Sequence, residues 1–173
     1  MILRIIQDEY AENPREDFDQ FGSLFITPNR YFSGDNVEDP NDLENVAIQL
    51  PVFHYTHGTT FLNTTGFNCP WDSGQCGWVY VTQEKFLREW TLDNVFTRWR
   101  AENLLRSEVE TYSQYLSGQV YGYEVYNYSE CSLGHKHKNI IDSCWGFFGN
   151  DPKENGIQAN LELPMEDYTI EYA

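Results

Sequence analysis

The stretch Cys69-Pro-Trp-Asp-Ser-Gly-Gln-Cys-Gly-Trp-Val-Tyr-Val81 decides the fold, because a polar turn in it leads directly into an apolar strand. The segment Asp72-Ser-Gly74 favours a turn, since Asp and Ser bond to nearby backbone and Gly accepts positive φ. Trp78–Val81 is β-branched and aromatic and predicts a buried strand. Thr82 then predicts the N-cap of a helix that begins at Gln83. The rest of the chain is predicted to pack around this turn, strand and helix.

The composition is that of a folded acidic domain. The chain has 173 residues, 40% of them hydrophobic and 16% aromatic, which is enough apolar material for a core despite a net charge of −16. A single acidic α+β domain spanning residues 1–173 is therefore predicted. No segment approaches the ~20 consecutive apolar residues of a membrane-spanning helix, so no membrane contact is predicted.

The four cysteines, Cys69, Cys76, Cys131 and Cys144, follow no regular spacing. The apolar start Met1–Ile6 is too short for a signal peptide and gives way at once to polar residues. Both observations predict reduced thiols and a cytoplasmic location.

Negative charge is concentrated at both ends of the sequence. Residues 1–45 contain 11 Asp and Glu against 3 Lys and Arg, and residues 151–173 contain 6 against 1. Residues 46–150 are closer to balance, with 10 against 7. Since only 11 residues in all are basic, direct binding of nucleic acid is not predicted.

Hydrophobic periodicity predicts further elements on either side of the opening stretch. Asn13-Pro14 marks a carboxylate-rich loop, and Asp39-Pro40 predicts the start of a short helix that ends at about Val46. A short helix over residues 83–90 and a long helix over residues 93–117 follow the central strand. The other predicted strands are Met1–Gln7, Phe21–Ile26, Leu50–His57, Thr59–Leu62, Gln119–Tyr128, Asn139–Phe148 and Ile157–Leu163.

The long helix carries an apolar stripe that should face the sheet, and Gly118 predicts its left-handed C-cap. The strands at residues 119–128 and 139–148 are predicted to pair antiparallel. The expected fold class is α+β, with a mainly antiparallel β-sheet packed on one face by a short and a long helix. The stripe consists of Val95, Trp99, Leu105, Val109, Tyr112 and Leu116.

Three segments carry a resemblance: Asn13–Asp35, Trp71–Val81 with the pattern WDSGQ-x-G-x-x-YV, and Glu108–Phe147, which ends in DSCWGF. In these segments the chain resembles a family of small acidic proteins encoded by bacteriophages and other mobile elements. The resemblance implies a phage or plasmid origin and a role inside an infected bacterium, and it assigns no catalytic residues. Cys76 stands where the family pattern has an apolar residue.

Cys131, His135, His137 and Cys144 have the chemistry of zinc ligands. Their spacing is not that of a standard zinc knuckle, and a polar hairpin turn with two solvated histidines is the preferred interpretation. We therefore predict no metal and no cofactor, and these four residues remain the metal candidates.

Two Trp-bearing turns, Trp71-Asp72 and Asp142–Trp145, are candidate walls of a pocket. We predict that Asp72 and Asp142 hold these turns by accepting backbone N–H bonds. The alternative function is that of a small-ligand-binding or sequestering protein, or a minor enzyme, whose pocket lies between Trp71, Asp72, Asp142 and Trp145.

Charge and resemblance together predict a non-enzymatic counter-defence inhibitor, encoded by a phage and acting in the host bacterial cytoplasm. It would block a basic host protein of a nucleic-acid-targeting defence system, of the anti-CRISPR or anti-restriction type, by presenting carboxylates where phosphates would lie. An acidic domain without such a target, and an assembly role in the phage, are alternatives left open. The predicted partner-binding residues are Asp8, Glu9, Glu12, Glu16, Asp17, Asp19, Asp35, Glu38, Asp39, Glu166, Asp167 and Glu171.

Overall fold

The computed structural model describes residues 1–92 and 97–173. The chain divides into two compact units: the first unit comprises residues 1–12 and 118–173, and the second unit comprises residues 13–117. The predicted single domain over residues 1–173 concerns both units together and stays a prediction. In chain order the elements are β1 (Ile2–Gln7), α1 (Pro14–Asp17), β2 (Ser23–Ile26), a 3₁₀ helix (Pro40–Asp42), β3 (Val46–His57), β4 (Thr59–Asn63), β5 (Ser73–Thr82), α2 (Gln83–Leu92), α3 (Arg98–Leu116), β6 (Val120–Glu130), β7 (Lys136–Phe148), α4 (Ile157–Asn160), a second 3₁₀ helix (Met165–Asp167) and β8 (Thr169–Tyr172).

The first unit is built on a four-stranded sheet with the order β7-β6-β1-β8. Strand β1 pairs antiparallel with β6 and parallel with β8, and β6 pairs antiparallel with β7. Leu3 and Ile5, alternate residues of β1, are buried in one cluster with Ile157 of α4 and Met165 of the second 3₁₀ helix. Because side chains alternate between the faces of a strand, this cluster defines the covered face of the sheet.

The second unit contains an antiparallel sheet with the order β2-β5-β3-β4. Strand β5, which follows the turn of the opening stretch, is one of the two inner strands, and α3 packs across β3, β4 and β5. Leu105 and Val109 of this helix are buried in one cluster with Val79 of β5. The Oγ of Ser113 also accepts the backbone N–H of Leu62 at 2.8 Å, which ties the helix to β4.

The predicted fold class is confirmed: the structure is α+β, its strands pair mainly antiparallel, and α2 and α3 are the short and the long helix. The N-cap prediction also holds, because the backbone N–H of Lys85 points at Thr82 Oγ1, 3.4 Å away. Gly118 has a φ of +70°, the left-handed conformation expected after α3. The predicted sheet is in fact two separate sheets, one in each unit.

Three local predictions are wrong. The Asn13-Pro14 loop is the start of helix α1, and Asn13 Oδ1 caps it by accepting the backbone N–H of Arg15 at 3.0 Å. The helix predicted from Asp39 ends at Asp42 as a single 3₁₀ turn. Residues 157–163 begin with helix α4 instead of forming a strand. Short apolar runs do not distinguish strand from helix by periodicity, which explains this last error.

The prediction of an apolar stripe on the long helix is correct for the middle of the helix and wrong for its start. Leu105, Val109 and Tyr112 are buried as predicted, whereas Trp99 is 74% exposed. The buried stripe begins at Ala101, and two residues of helix correspond to a rotation of about 200°, so Trp99 points away from the sheet. Val95 lies outside the described residues.

Candidate partner-binding surfaces

Four of the predicted partner-binding carboxylates lie exposed in the second unit. Glu16 and Asp17 are on α1, Asp19 follows that helix, and Glu38 precedes the first 3₁₀ helix. None of the four forms an ion pair with a Lys, Arg or His among the described residues. We call these four residues the acidic group of the second unit.

Asp35 differs from the acidic group, because its carboxylate is bound inside the unit. It receives two hydrogen bonds from Arg15, with Nε–Oδ1 at 3.0 Å and Nη2–Oδ2 at 2.5 Å, and a third from the backbone N–H of Leu24 at 2.8 Å. The Arg15 side chain is only 5% exposed. A bidentate pair of this kind neutralises the carboxylate, so the expectation of a free surface charge at Asp35 is corrected.

Glu108 of α3 completes this network, and it was not among the predicted site residues. Its carboxylate accepts the backbone N–H groups of Phe21 at 2.5 Å and Gly22 at 2.9 Å, and Arg15 Nη1 lies 3.4 Å from Oε2. Burial raises the pKa of Glu108, although the two backbone donors and Arg15 act in the opposite direction. Arg15 is the only Lys or Arg in the acidic segment 8–20, and this isolated cation is the feature of the sequence that could have indicated the network.

Two more predicted acids have local structural tasks. Asp39 is half-buried, and its Oδ1 caps the first 3₁₀ helix by accepting the backbone N–H of Asn41 at 2.9 Å. Asp8 is half-buried in the first unit, where its Oδ1 accepts the backbone N–H of Tyr10 at 3.1 Å. In both carboxylates one oxygen fixes the local backbone.

The remaining predicted acids belong to the first unit. Glu9 and Glu12 are exposed near the end of β1, and Glu166 and Asp167 are exposed on the second 3₁₀ helix. Glu171 of β8 accepts a hydrogen bond from the hydroxyl of Tyr126 at 2.7 Å. This bond reaches across β1 and is the largest cause that raises the pKa of Tyr126 to about 12.

Trp71 and Asp72 lie in the second unit, on the turn that precedes β5. The indole of Trp71 is 92% exposed. Oδ2 of Asp72 accepts a bond from the Cys69 thiol at 3.8 Å and lies 3.6 Å from Nδ1 of His57. Asp72 thus holds the turn through a thiol and an imidazole, not through the backbone N–H groups that were predicted.

Asp142 and Trp145 lie in the first unit, within strand β7 and not on a turn, which corrects the prediction. Asp142 accepts a bond from the hydroxyl of Tyr123 at 2.8 Å. Trp145 lies at a register shift between β6 and β7, just before Gly146, which has a φ of +83°. This irregularity places the indole against Gly122, where an added Cβ would lie 2.2 Å from the ring. Within the DSCWGF motif, Trp145 therefore has a packing role.

The predicted pocket combines residues of both units, and it stays a prediction.

Among the described residues, no three His, Cys, Asp or Glu side chains are grouped so that they could hold a metal ion. Cys131 and His135 lie at the turn between β6 and β7, while His137 pairs with Ser129 on the strand. Cys144 lies seven residues beyond His137 in β7, a separation of roughly 20 Å.

The fold and these surfaces define an acidic α+β protein that carries exposed carboxylates and exposed aromatic side chains. Comparison of the chain with protein-family models, with curated proteins and with solved structures finds no match in any of the three. The resemblance to phage-encoded proteins therefore stays a prediction. Within the described part of the chain, no helix has both the length and the apolar character needed to cross a membrane.

Proposed function

We propose that this protein is a non-enzymatic inhibitor, encoded by a bacteriophage, that binds and blocks a basic nucleic-acid-handling protein in the cytoplasm of its bacterial host. Its target would belong to a defence system of the CRISPR or restriction type. The observation that carries the proposal is the acidic group of the second unit, whose carboxylates are exposed and unpaired with cations in the described structure.

Each unit by itself is strongly acidic. The first unit has 12 Asp and Glu against 4 Lys and Arg, and the second has 15 against 7, so each has a net charge of −8. Duplex DNA carries about one negative charge per 1.7 Å of axis, and proteins that grip it present clusters of Lys and Arg. Carboxylates held at the surface attract the same clusters and compete with phosphate for them.

The contacts of each carboxylate decide which of the predicted residues we retain in the proposal. In the second unit we retain the acidic group as partner-binding residues. We also retain Asp39, although one of its carboxylate oxygens already accepts the backbone N–H of Asn41. Asp35 is dropped, because Arg15 neutralises it. In the first unit Glu9, Glu12, Glu166 and Asp167 present exposed carboxylates, and Glu171 shares one oxygen with Tyr126.

The test compares two double charge reversals of equal size. Asp17→Lys/Asp19→Lys changes the acidic group, and Glu84→Lys/Glu110→Lys changes two exposed acids on the helices of the same unit. Each protein is assayed for inhibition of DNA cleavage by purified CRISPR and restriction nucleases, at several salt concentrations. We expect the first variant to lose ~10-fold or more of its inhibition and part of its salt dependence, whereas the second keeps both. Equal loss in the two variants, or no loss in either, would contradict the proposal.

A further inference from the structure

The turn at residues 69–73 presents one aromatic side chain almost entirely to solvent. Trp71 is 92% exposed, although a tryptophan is the largest apolar side chain that a fold can bury. Trp78, seven residues further along, is half-buried in β5. An indole exposed to this extent contributes nothing to the core of the unit, and Trp is the residue type most enriched at binding hot spots.

Hydrogen bonds within the turn fix the backbone that carries Trp71. The hydroxyl of Ser73 donates to the carbonyl of Cys69, and the thiol of Cys69 donates to the carboxylate of Asp72 at 3.8 Å. The carbonyl of Asp72 accepts the backbone N–H of Thr56 at 3.0 Å, which joins the turn to β3. A side chain displayed from a fixed backbone loses less conformational freedom when a partner binds it.

The carboxylate beside the indole has one oxygen open to a partner. The two contacts of the Asp72 carboxylate, to Cys69 Sγ and to His57 Nδ1, both use Oδ2. Oδ1 has no polar contact within the described parts of the chain, and the Asp72 side chain is 42% exposed. An indole face and an open carboxylate oxygen therefore lie on neighbouring residues.

We propose that Trp71 and Asp72 form a binding site for an arginine side chain of a basic protein partner. A guanidinium is planar, so it can stack on the indole face while one of its N–H groups donates to Oδ1 of Asp72. A lysine ammonium can also lie over a ring while it binds a carboxylate, as Lys138 does with Tyr126 and Glu124, but it is compact and strongly hydrated and cannot stack as a plane. We therefore expect the site to prefer arginine over lysine. This inference rests on the proposed function only in that the partner is basic.

An arginine of the chain itself makes a contact between a guanidinium and an aromatic ring. The guanidinium carbon of Arg30 lies 4.8 Å from the centre of the Tyr31 ring. The indole has a stronger negative face than the phenol ring, so Trp71 is the better platform for a cation.

The experiment uses two defined probes: a short peptide of alternating Gly and Arg, and the same peptide with Lys at every Arg position. Binding is measured by calorimetry on the full chain, and the indole N–H resonance of Trp71 is followed by NMR after assignment through its loss in Trp71→Ala. We expect the wild-type chain to bind the Arg peptide more tightly and to shift the Trp71 resonance. Trp71→Ala and Asp72→Asn should each weaken binding of the Arg peptide by ~10-fold and remove the preference over Lys.

Matched controls keep the test specific. Trp99→Ala removes a second exposed indole from the same unit, and Asp42→Asn removes an exposed carboxylate that lies outside the acidic group. The inference is overturned if either control weakens Arg-peptide binding as much as its matched variant, or if the wild type binds both peptides equally. Thermal unfolding of Trp71→Ala should match that of the wild type, because the indole packs against almost nothing.

The two proposals fail in distinguishable ways. If nuclease inhibition depends on Asp17 and Asp19 while the arginine preference is absent, this inference is wrong and the proposed function stands. If the arginine preference depends on Trp71 and Asp72 while no charge reversal affects inhibition, the site exists and the mimicry of nucleic acid is wrong.

Discussion

Arg15 and Asp35, twenty residues apart in the sequence, form a bidentate ion pair inside the second unit, with Nε–Oδ1 at 3.0 Å and Nη2–Oδ2 at 2.5 Å. The same guanidinium reaches Glu108 on α3 and the carbonyl of Gly22. One cation thus joins α1, α3 and the segment before β2. Asp35 and Glu108 thus build this network, whereas the acidic group faces outward.

Arg15→Ala should destabilise the protein by about 3 kcal/mol, because it leaves two largely buried carboxylates without their cation. The free energy of unfolding is measured in urea by circular dichroism. Arg88→Ala is the control, since Arg88 is 63% exposed and, among the described residues, pairs only with Glu89 at the surface; its effect should stay within about 0.5 kcal/mol. A loss below about 1 kcal/mol in Arg15→Ala would contradict the role given to this network.

The local elements around the opening stretch could be predicted from the sequence, and the environment of individual charges could not. Three features depend on interactions between residues close in sequence: the N-cap at Thr82, the glycine after α3 and the β-branched run in β5. The sequence around each feature is therefore sufficient to predict it. Asp35 and Asp19 look alike in sequence. What separates them is a guanidinium twenty residues away, and no local pattern encodes that contact.

The same limit applies to aromatic residues. Trp71 and Trp145 both stand in glycine-punctuated motifs, which led to the prediction of two similar turns. In the structure Trp71 projects from a turn, whereas Trp145 lies on β7 against Gly122 of the neighbouring strand. The strand β8 was also missed: Ile170 and Tyr172 alternate with Thr169 and Glu171, but the run has only four residues, the shortest alternation that indicates a strand.

Glu171→Gln should lower the pKa of Tyr126 from about 12 towards the ordinary value of about 10. The carboxylate of Glu171 accepts a hydrogen bond from the neutral phenol and repels a phenolate, and a glutamine amide does neither as strongly. The pKa is read by NMR from the ring carbon that bears the hydroxyl. Glu166→Gln is the control and should leave this pKa in place; an unchanged pKa in Glu171→Gln would show that the bond has no such effect.

The Tyr126–Glu171 bond also makes stability depend on pH. The folded-state pKa of Tyr126 is raised, so its contribution is fully present below the unfolded pKa of about 10 and is lost as the pH rises to about 12. Between these values the stability of the wild type should fall more steeply than that of Tyr126→Phe. Urea unfolding at several pH values checks this, and parallel curves for the two proteins would refute it.

Gly122→Ala should destabilise the protein by about 1 to 3 kcal/mol, because the new methyl group would lie 2.2 Å from Trp145 Cε3 and 2.9 Å from the carbonyl oxygen of Cys144. The free energy of unfolding in urea measures this loss. The control is Gly74→Ala in β5, where the nearest atom to the new Cβ is His54 Nε2 at 3.9 Å. If the two variants are equally stable, the indole moves aside freely and its packing role is refuted.

The cysteines should differ in reactivity according to the groups around each sulfur. Burial raises the pKa of Cys76 to about 12, whereas the backbone N–H groups of Leu133 and His135 lower the pKa of Cys131. Since the thiolate is the nucleophile, iodoacetamide at about pH 8 should modify Cys131 first and Cys76 last, with rates read by peptide mass spectrometry. In urea the four rates should converge, because both environments disappear on unfolding. If Cys76 in the native protein reacted as fast as Cys131, the thiol would have to be open to solvent, and the cluster that α3 forms with the sheet of the second unit could not be packed as described.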